Sequence, residues 1–411
     1  MRPRSILILL MFLSTSISVL AGWPEFRGPG GQGHSDSKNV PTVWGEEKNV
    51  RWKTVIPGEG WSSPVFESQT IWLTTALDGG KSLRLMGVAG DTGKVLHDIE
   101  LFQVEKPEFK HDLNSYASPT PVAAGGRVYV SFGNYGTACV DAASGKVLWK
   151  HQDLKLDHEN GPGSSPILYK KSLIIPCDGT NVQYLAALDA DTGKLLWQTN
   201  RTGYINKAPS MKKAYSTPLV IQVGGKDQLI IPAAEYLYSY DPKNGDELWK
   251  IHYPGFSNVP RPVFGHGLLY ICTGFGKPEL WAVRPGEAGQ VTDENVIWKF
   301  LRQAPAKPSP VLVGDLLYFI SDTGMISCLD ALDGKAHFQE RLGGDYSASP
   351  VYAGGHLYFC NQQGATVVFK PGKDFQPVVT NQLEHGFMAS PAVMDKSLIL
   401  RTKKALYRIE E

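Results

Sequence analysis

Short apolar runs, each broken by a turn within a few residues, recur along almost the whole chain. The pattern is Pro, a two- to five-residue apolar stretch, a tight polar turn, and a second apolar stretch. It starts at Pro64 (SSPVFESQTIWLTT), Pro121, Pro166, Pro218, Pro262, Pro310, Pro350 and Pro391 (ASPAVMDKSLILRTK). Seven residues after all but one of these prolines stands an apolar residue: Ile71, Val128, Leu173, Leu269, Leu317, Leu357 or Leu398. Pro218 departs through the longer turn Gly224-Gly225-Lys226-Asp227. The runs are too short for helices and their spacing predicts hairpins of paired strands.

A second half-unit follows most hairpins. Val140-Asp141-Ala-Ala-Ser-Gly145-Lys146-Val-Leu-Trp149 matches Leu188-Asp189-Ala-Asp-Thr-Gly193-Lys194-Leu-Leu-Trp197, and Tyr240-Asp241 through Gly245 to Trp249 keeps the same plan. Asp91-Thr-Gly93-Lys94 and Asp330 through Gly334-Lys335 are variants, with His97 and Phe338 at the Trp position. Asp ends a third strand, Gly supplies the positive φ of the turn, and Trp rides on a fourth strand. Four antiparallel strands repeated eight times at a mean spacing of about 47 residues predict an all-β, eight-bladed β-propeller. The last unit, from Pro391, has only three strands. An isolated Asn49-Val50-Arg51-Trp52-Lys53, similar to Asn295-Val296-Ile297-Trp298-Lys299, is expected to complete it and close the ring. Residues 45–411 are thus assigned to the propeller and 22–44 to an N-terminal extension.

Residues 1–21 read as a signal peptide: Arg2 and Arg4, an apolar stretch from Ile6 to Leu13, and Val19-Leu20-Ala21 before Gly22. The mature protein is expected to be exported, periplasmic or secreted, not membrane-spanning, and monomeric. With 41 Lys+Arg against 40 Asp+Glu, the chain lacks the basic excess of a nucleic-acid binder. An apolar content of 42% excludes disorder, and 43 Gly with 28 Pro exclude a helical bundle.

The Asp-x-x-(Thr/Ser)-Gly-Lys-x-x-Trp units resemble the pyrroloquinoline-quinone-type (PQQ-like) propeller repeat of quinoprotein alcohol dehydrogenases and of outer-membrane assembly factor B. The leader Trp23-Pro24-Glu25-Phe26-Arg27-Gly28-Pro29 resembles the start of many exported bacterial proteins of this type, and the insert Ala282-Val283-Arg284-Pro285-Gly286 also fits it. The resemblance implies either a binding scaffold or a quinone-dependent oxidoreductase holding PQQ with calcium. It also implies, for the enzymes, a vicinal cysteine pair beside the cofactor. No two of the five cysteines are adjacent here.

Chemistry is sparse otherwise. Cys139 and Cys328 sit two residues before the third-strand Asp, and Cys272 and Cys360 ten after their prolines; these are equivalent positions in different blades, out of reach of one another, and with Cys177 all five are expected as free thiols. Cys-x-x-Cys, His-x-x-x-His and Gly-x-Ser-x-Gly are absent, so no catalytic or metal-ligating residue is assigned. What varies between repeats is the set of loops leading into the innermost strands, which a propeller places around one mouth of its channel. They supply His111, Asn114, Tyr116, His158, Glu159, Asn160, Lys212, Tyr215, Asn258, Arg261, Lys307, Asp345, Tyr346 and His385. These are the candidate residues for a protein or small-molecule ligand of the cell envelope. Glu159-Asn160 is the one pair that a calcium–quinone site could use.

Overall fold

The computed structural model describes residues 22–289 and 291–411; the sequence-assigned signal peptide lies outside the described residues. Eight antiparallel sheets follow one another around a ring, seven with four strands and one with three. Among the described residues there is no α-helix, only short 3₁₀ turns. Register repeats as the sequence did. The residue after Pro pairs with the residue seven further on: Val65 with Trp72, Val122 with Tyr129, Ile167 with Ile174, Val263 with Tyr270 and Val311 with Tyr318. The Pro218 unit, with its longer turn, pairs Leu219 with Ile230.

The first blade has three regular strands, Thr70–Leu77, Ser82–Ala89 and Val95–Gln103. Its innermost strand is reduced to Val65 and Phe66, and Phe66 exchanges two 2.8 Å backbone hydrogen bonds with Trp23 of the extension. The last blade runs Ala392–Met394, Ser397–Arg401, Ala405–Ile409, and its outer strand is Val50–Val55 from the start of the chain. That pairing closes the ring and gives the last blade its fourth strand.

The repeat's Gly and Trp serve one contact. A β-bulge one residue before the third-strand Asp, as between Cys139 and Val140, offsets the fourth strand. Its Trp then lies against the turn glycine of the following blade. A Cβ on Gly93 would meet Trp52 at 2.7 Å, on Gly193 Trp149 at 2.6 Å, on Gly245 Trp197 at 2.5 Å and on Gly334 Trp298 at 2.6 Å. Only glycine satisfies both the positive φ and that approach. The Trp52, Trp149 and Trp298 indoles also donate to backbone carbonyls of the next blade, Gly90, Ala190 and Ala331. At the seam, Arg408 donates to the Gly90 carbonyl, and buried Arg401 donates to the carbonyls of Ser62 and Thr74. The cores therefore lie between neighbouring blades, and the one at the seam joins the seventh, eighth and first blades with the N-terminal segment. All five cysteines are buried and unpaired within them.

Candidate functional site

The residue preceding each repeat proline faces the channel axis. Seven of the eight are Ser or Thr, and they form a belt. The backbone N–H of each donates to the hydroxyl of the next: Ser63 to Thr120 (3.0 Å), Thr120 to Ser165 (2.9 Å) and Ser165 to Thr217 (3.2 Å). The belt resumes with the Arg261 N–H donating to Ser309 (2.9 Å), Ser309 to Ser349 (2.9 Å), Ser349 to Ser390 (2.8 Å) and Ser390 back to Ser63 (3.1 Å). Proline after each belt residue holds it extended, so its N–H turns sideways to the neighbouring blade.

Above the belt opens a cavity of about 390 Å³, lined by residues of all eight blades, among them every belt residue but Arg261 and Ser309. Trp61, Tyr215, Phe256 and Phe275 supply aromatic walls, Lys213 and Lys307 the cations, and Phe26 the floor. Lys213 is paired with Glu159, and Lys307 stands 3.4 Å from Asp322. A groove of about 290 Å³ adjoins it, sharing Trp61, Leu113 and Met388 and bordered by Lys403 and Lys404.

The floor is made by the extension. Residues 23–37 cross the far end of the channel and bond to inner strands of five blades. Besides Trp23 with Phe66, Ala123 donates to the Pro24 carbonyl, Phe264 to the Gln32 side chain, and Tyr352 to the Gly33 carbonyl. Arg27 donates to the Pro310 carbonyl at 2.6 Å. Arg261, the residue that interrupts the belt, reaches down to this segment. Its guanidinium donates to the carbonyls of Pro218 (3.0 Å) and Phe26 (2.6 Å) and pairs with Glu25 at 2.8 Å.

Of the residues singled out from the sequence, His111, Asn114, Asn160, Tyr215 and Lys307 are brought together around the cavity. Asn114 donates to the Asn160 carbonyl at 2.8 Å, and the Tyr215 hydroxyl to the His158 carbonyl at 2.7 Å. Others have structural duties. Arg261, Asn258 and Tyr346 are fully buried, not loop residues free to meet a ligand. Asn258 donates to the Tyr253 hydroxyl and the Cys272 carbonyl. His158 is buried with Nε2 accepting from the Asn134 N–H, and burial holds its imidazole down at about 4. Tyr116 donates to the Glu108 carbonyl, and Asp345 is bound to the Gln363 side chain, both away from the cavity. His385 is exposed beside Glu384 and does not line it. Lys212 sits over the Tyr204 ring; its neighbour Lys213 is the one in the cavity. The belt hydroxyls, Arg27 and Asp322 were not singled out. The belt was legible as Ser/Thr before proline in repeat after repeat; Arg27 stood only within the Trp23–Pro29 leader, and Asp322 carries no local signal.

The chain is similar to tetrathionate hydrolase of Acidithiobacillus ferrooxidans, 22% identical over 294 residues, covering 68% of this chain and 52% of that protein. It thus spans about half the length of that curated relative. Its fold is similar to quinohemoprotein alcohol dehydrogenase of Comamonas testosteroni, with a TM-score of 0.68 at 11% identity, covering 94% of this chain and 80% of the other. A europium-containing methanol dehydrogenase aligns with a TM-score of 0.54, also at 11% identity, over 94% and 88% of the two chains. At such identities these structures establish the propeller alone. The PQQ-like repeat is matched over residues 49–284 and again over 181–411, so that this chain belongs to the family described as outer membrane protein assembly factor BamB.

Proposed function

We propose that the protein is an exported, monomeric, non-catalytic binding propeller of the cell envelope, taking an extended segment of a partner into the mouth of its channel. One observation carries this reading: the distribution of exposed apolar side chains. Most of the large ones lie on the outermost strands, but Phe109, Leu113, Ile205, Val259, Phe275 and Leu301 stand on the loops of the cavity face. Leu113, Val259 and Phe275 line the cavity itself. Apolar groups gathered on loops at the mouth of a rigid, blind-ended funnel are the surface of a binding protein. The adjoining groove gives the site the length that a chain segment needs. Export is supported by the sequence of residues 1–21 and by the family's description. Among the described residues no helix is long and apolar enough to cross a membrane.

This reading carries no resident quinone. A calcium-bound quinone would need carboxylate and amide oxygens converging on one point. The Glu159 carboxylate is engaged by Lys213, and among the described residues no three His, Cys, Asp or Glu side chains gather as metal ligands. Hydrolysis of tetrathionate belongs to the relative named above and is not carried over.

The test is a photo-crosslinking residue placed at Phe275 or Val259 in cells of the native host. The expected result is an adduct with an envelope protein, lost when Leu113→Ser is added without any change in melting temperature. Absence of an adduct at both positions overturns the reading. So does turnover of tetrathionate, or dye-linked alcohol oxidation with added quinone and calcium that Glu159→Gln or Asn160→Ala abolishes.

A further inference from the structure

The belt hydroxyls are used only as acceptors. Each of the seven takes a backbone N–H from its neighbour, and among the described residues none donates its own proton to a protein acceptor. Six of them line the cavity, and all seven are buried. A buried hydroxyl whose oxygen is already engaged has its proton left to give. Six such protons therefore converge on the base of one cavity. A buried donor without an acceptor is costly, and it is satisfied by whatever occupies the site.

The charge beneath them has the same sign preference. Arg27 is fully buried and follows Phe26, the cavity floor; it binds the Pro310 carbonyl, one residue past the belt's Ser309. Its Nε and Nη1 have no partner. Arg261 lies beside it, and among the described residues Glu25 is the one carboxylate paired with either guanidinium. Burial, and then Arg261, pull the Arg27 guanidinium down to about 9, which leaves it charged at neutral pH. The cations of the walls are each matched by an anion, Lys213 by Glu159 and Lys307 by Asp322. The base of the cavity is thus a ring of O–H donors over a net positive charge, and the walls above it are aromatic.

We propose that this base is a seat for an oxyanion head, a carboxylate above all, carried on an apolar body that fills the aromatic part of the funnel. The proposal rests on the functional reading above and adds the polarity of the bound segment, which enters head down. The head group replaces its water shell with hydroxyl donors held in place by the ring itself, so little ordering accompanies binding. Two sources share this chemistry, a small organic acid and the free C-terminus of a peptide, and the probes separate them.

The experiment is calorimetric titration of the full exported chain with four probes: hexanoate, hexanamide, and an apolar tetrapeptide with a free or an amidated C-terminus. Each acid is expected to bind at least about 10-fold more tightly than its amide, the usual advantage of hydrogen bonds to a charged group. A peptide acid tighter than hexanoate assigns the seat to chain ends, and the reverse order assigns it to small acids; either supports the seat. Thr217→Val removes one donor and should weaken the acids severalfold while leaving the amides unchanged, and Thr217→Ser should restore them. Because Thr217→Val also deprives the Ser165 N–H of its acceptor, its melting curve is recorded alongside. Should that variant fail to fold, Phe26→Trp fills the floor without touching the belt and is expected to exclude the acids. Equal affinity for acid and amide, or no binding of any probe, overturns the seat. An adduct still forming at Phe275 in that case leaves the binding reading standing, so the two failures are distinguishable.

Discussion

Arg261 stands where the other seven blades carry serine or threonine, and that exchange changes what the position does. A hydroxyl there would accept the N–H of the preceding blade, as the others do; a guanidinium instead passes beneath the belt and ties Phe26 and Glu25 of the N-terminal segment to the Pro218 carbonyl. His158 illustrates the opposite case, a titratable side chain spent on packing. It is held neutral under the Asn134 N–H, with its base strength lowered by burial to about 4 against 6.5 in an unfolded chain. The unfolded state therefore binds the extra proton first as pH falls. The stability that neutral His158 supports is fully present above pH 6.5 and is lost as pH drops toward 4, by about 3 kcal/mol in all. Urea midpoints measured at pH 7 and pH 5 should show about 2 kcal/mol of this fall, and it should shrink in His158→Gln. An equal fall in the variant would assign the acid sensitivity to other groups.

Among the elements, the strand Val50–Val55 and the segment 23–37 bear on the ring in different ways. The strand completes the last blade, and Trp52 carries it onto Gly93 and the Gly90 carbonyl of the first. Trp52→Ala empties a buried aromatic site and is expected to cost about 3–5 kcal/mol. A melting curve that does not move would mean that closure does not depend on this contact. The segment 23–37 instead bridges inner strands, and Arg261 is its main side-chain anchor. Arg261→Met leaves the Phe26 and Pro218 carbonyls without their donor, and is expected to expose residues 23–37 to limited proteolysis well before the blades are cut. Protection equal to that of the parent protein would show that the backbone bonds to Phe66, Ala123 and Tyr352 suffice.

At the scale of the whole molecule, the blades, their cores and the ring closure were legible because every one rests on short-range repetition. Proline, an apolar pair and a turn dictate a hairpin wherever they recur, and Asp141, Gly145 and Trp149 recur as a unit because each blade docks on its neighbour in the same way. The loop residues around the mouth were legible only in part. Position relative to the repeat placed His111, Asn114, Asn160, Tyr215 and Lys307 on the face where the cavity opens. It could not tell that Asn258, Arg261 and Tyr346 turn inward, since burial of a loop residue depends on what packs over it. The adjacent pair Lys212 and Lys213 shows how narrow the difference is: one residue along an irregular loop moves a cation from the Tyr204 ring into the cavity.

What the amino-acid order determined alone is the periodic part of the protein: the number of blades, their strand pattern, their turn glycines and the strand that closes them. Local propensity and a constant register suffice for these, and eight copies reinforce one another. What only the tertiary structure decided is everything that the ring brings together on its axis. The belt joins residues some 40 to 60 positions apart and returns from Ser390 to Ser63 across 327. Arg27 and Arg261 meet beneath it from 234 positions apart, Arg27 bound to the Pro310 carbonyl and Arg261 to the Phe26 carbonyl, each far from it in sequence. Such contacts follow from closure of the ring, which turns the same position of every repeat toward one centre.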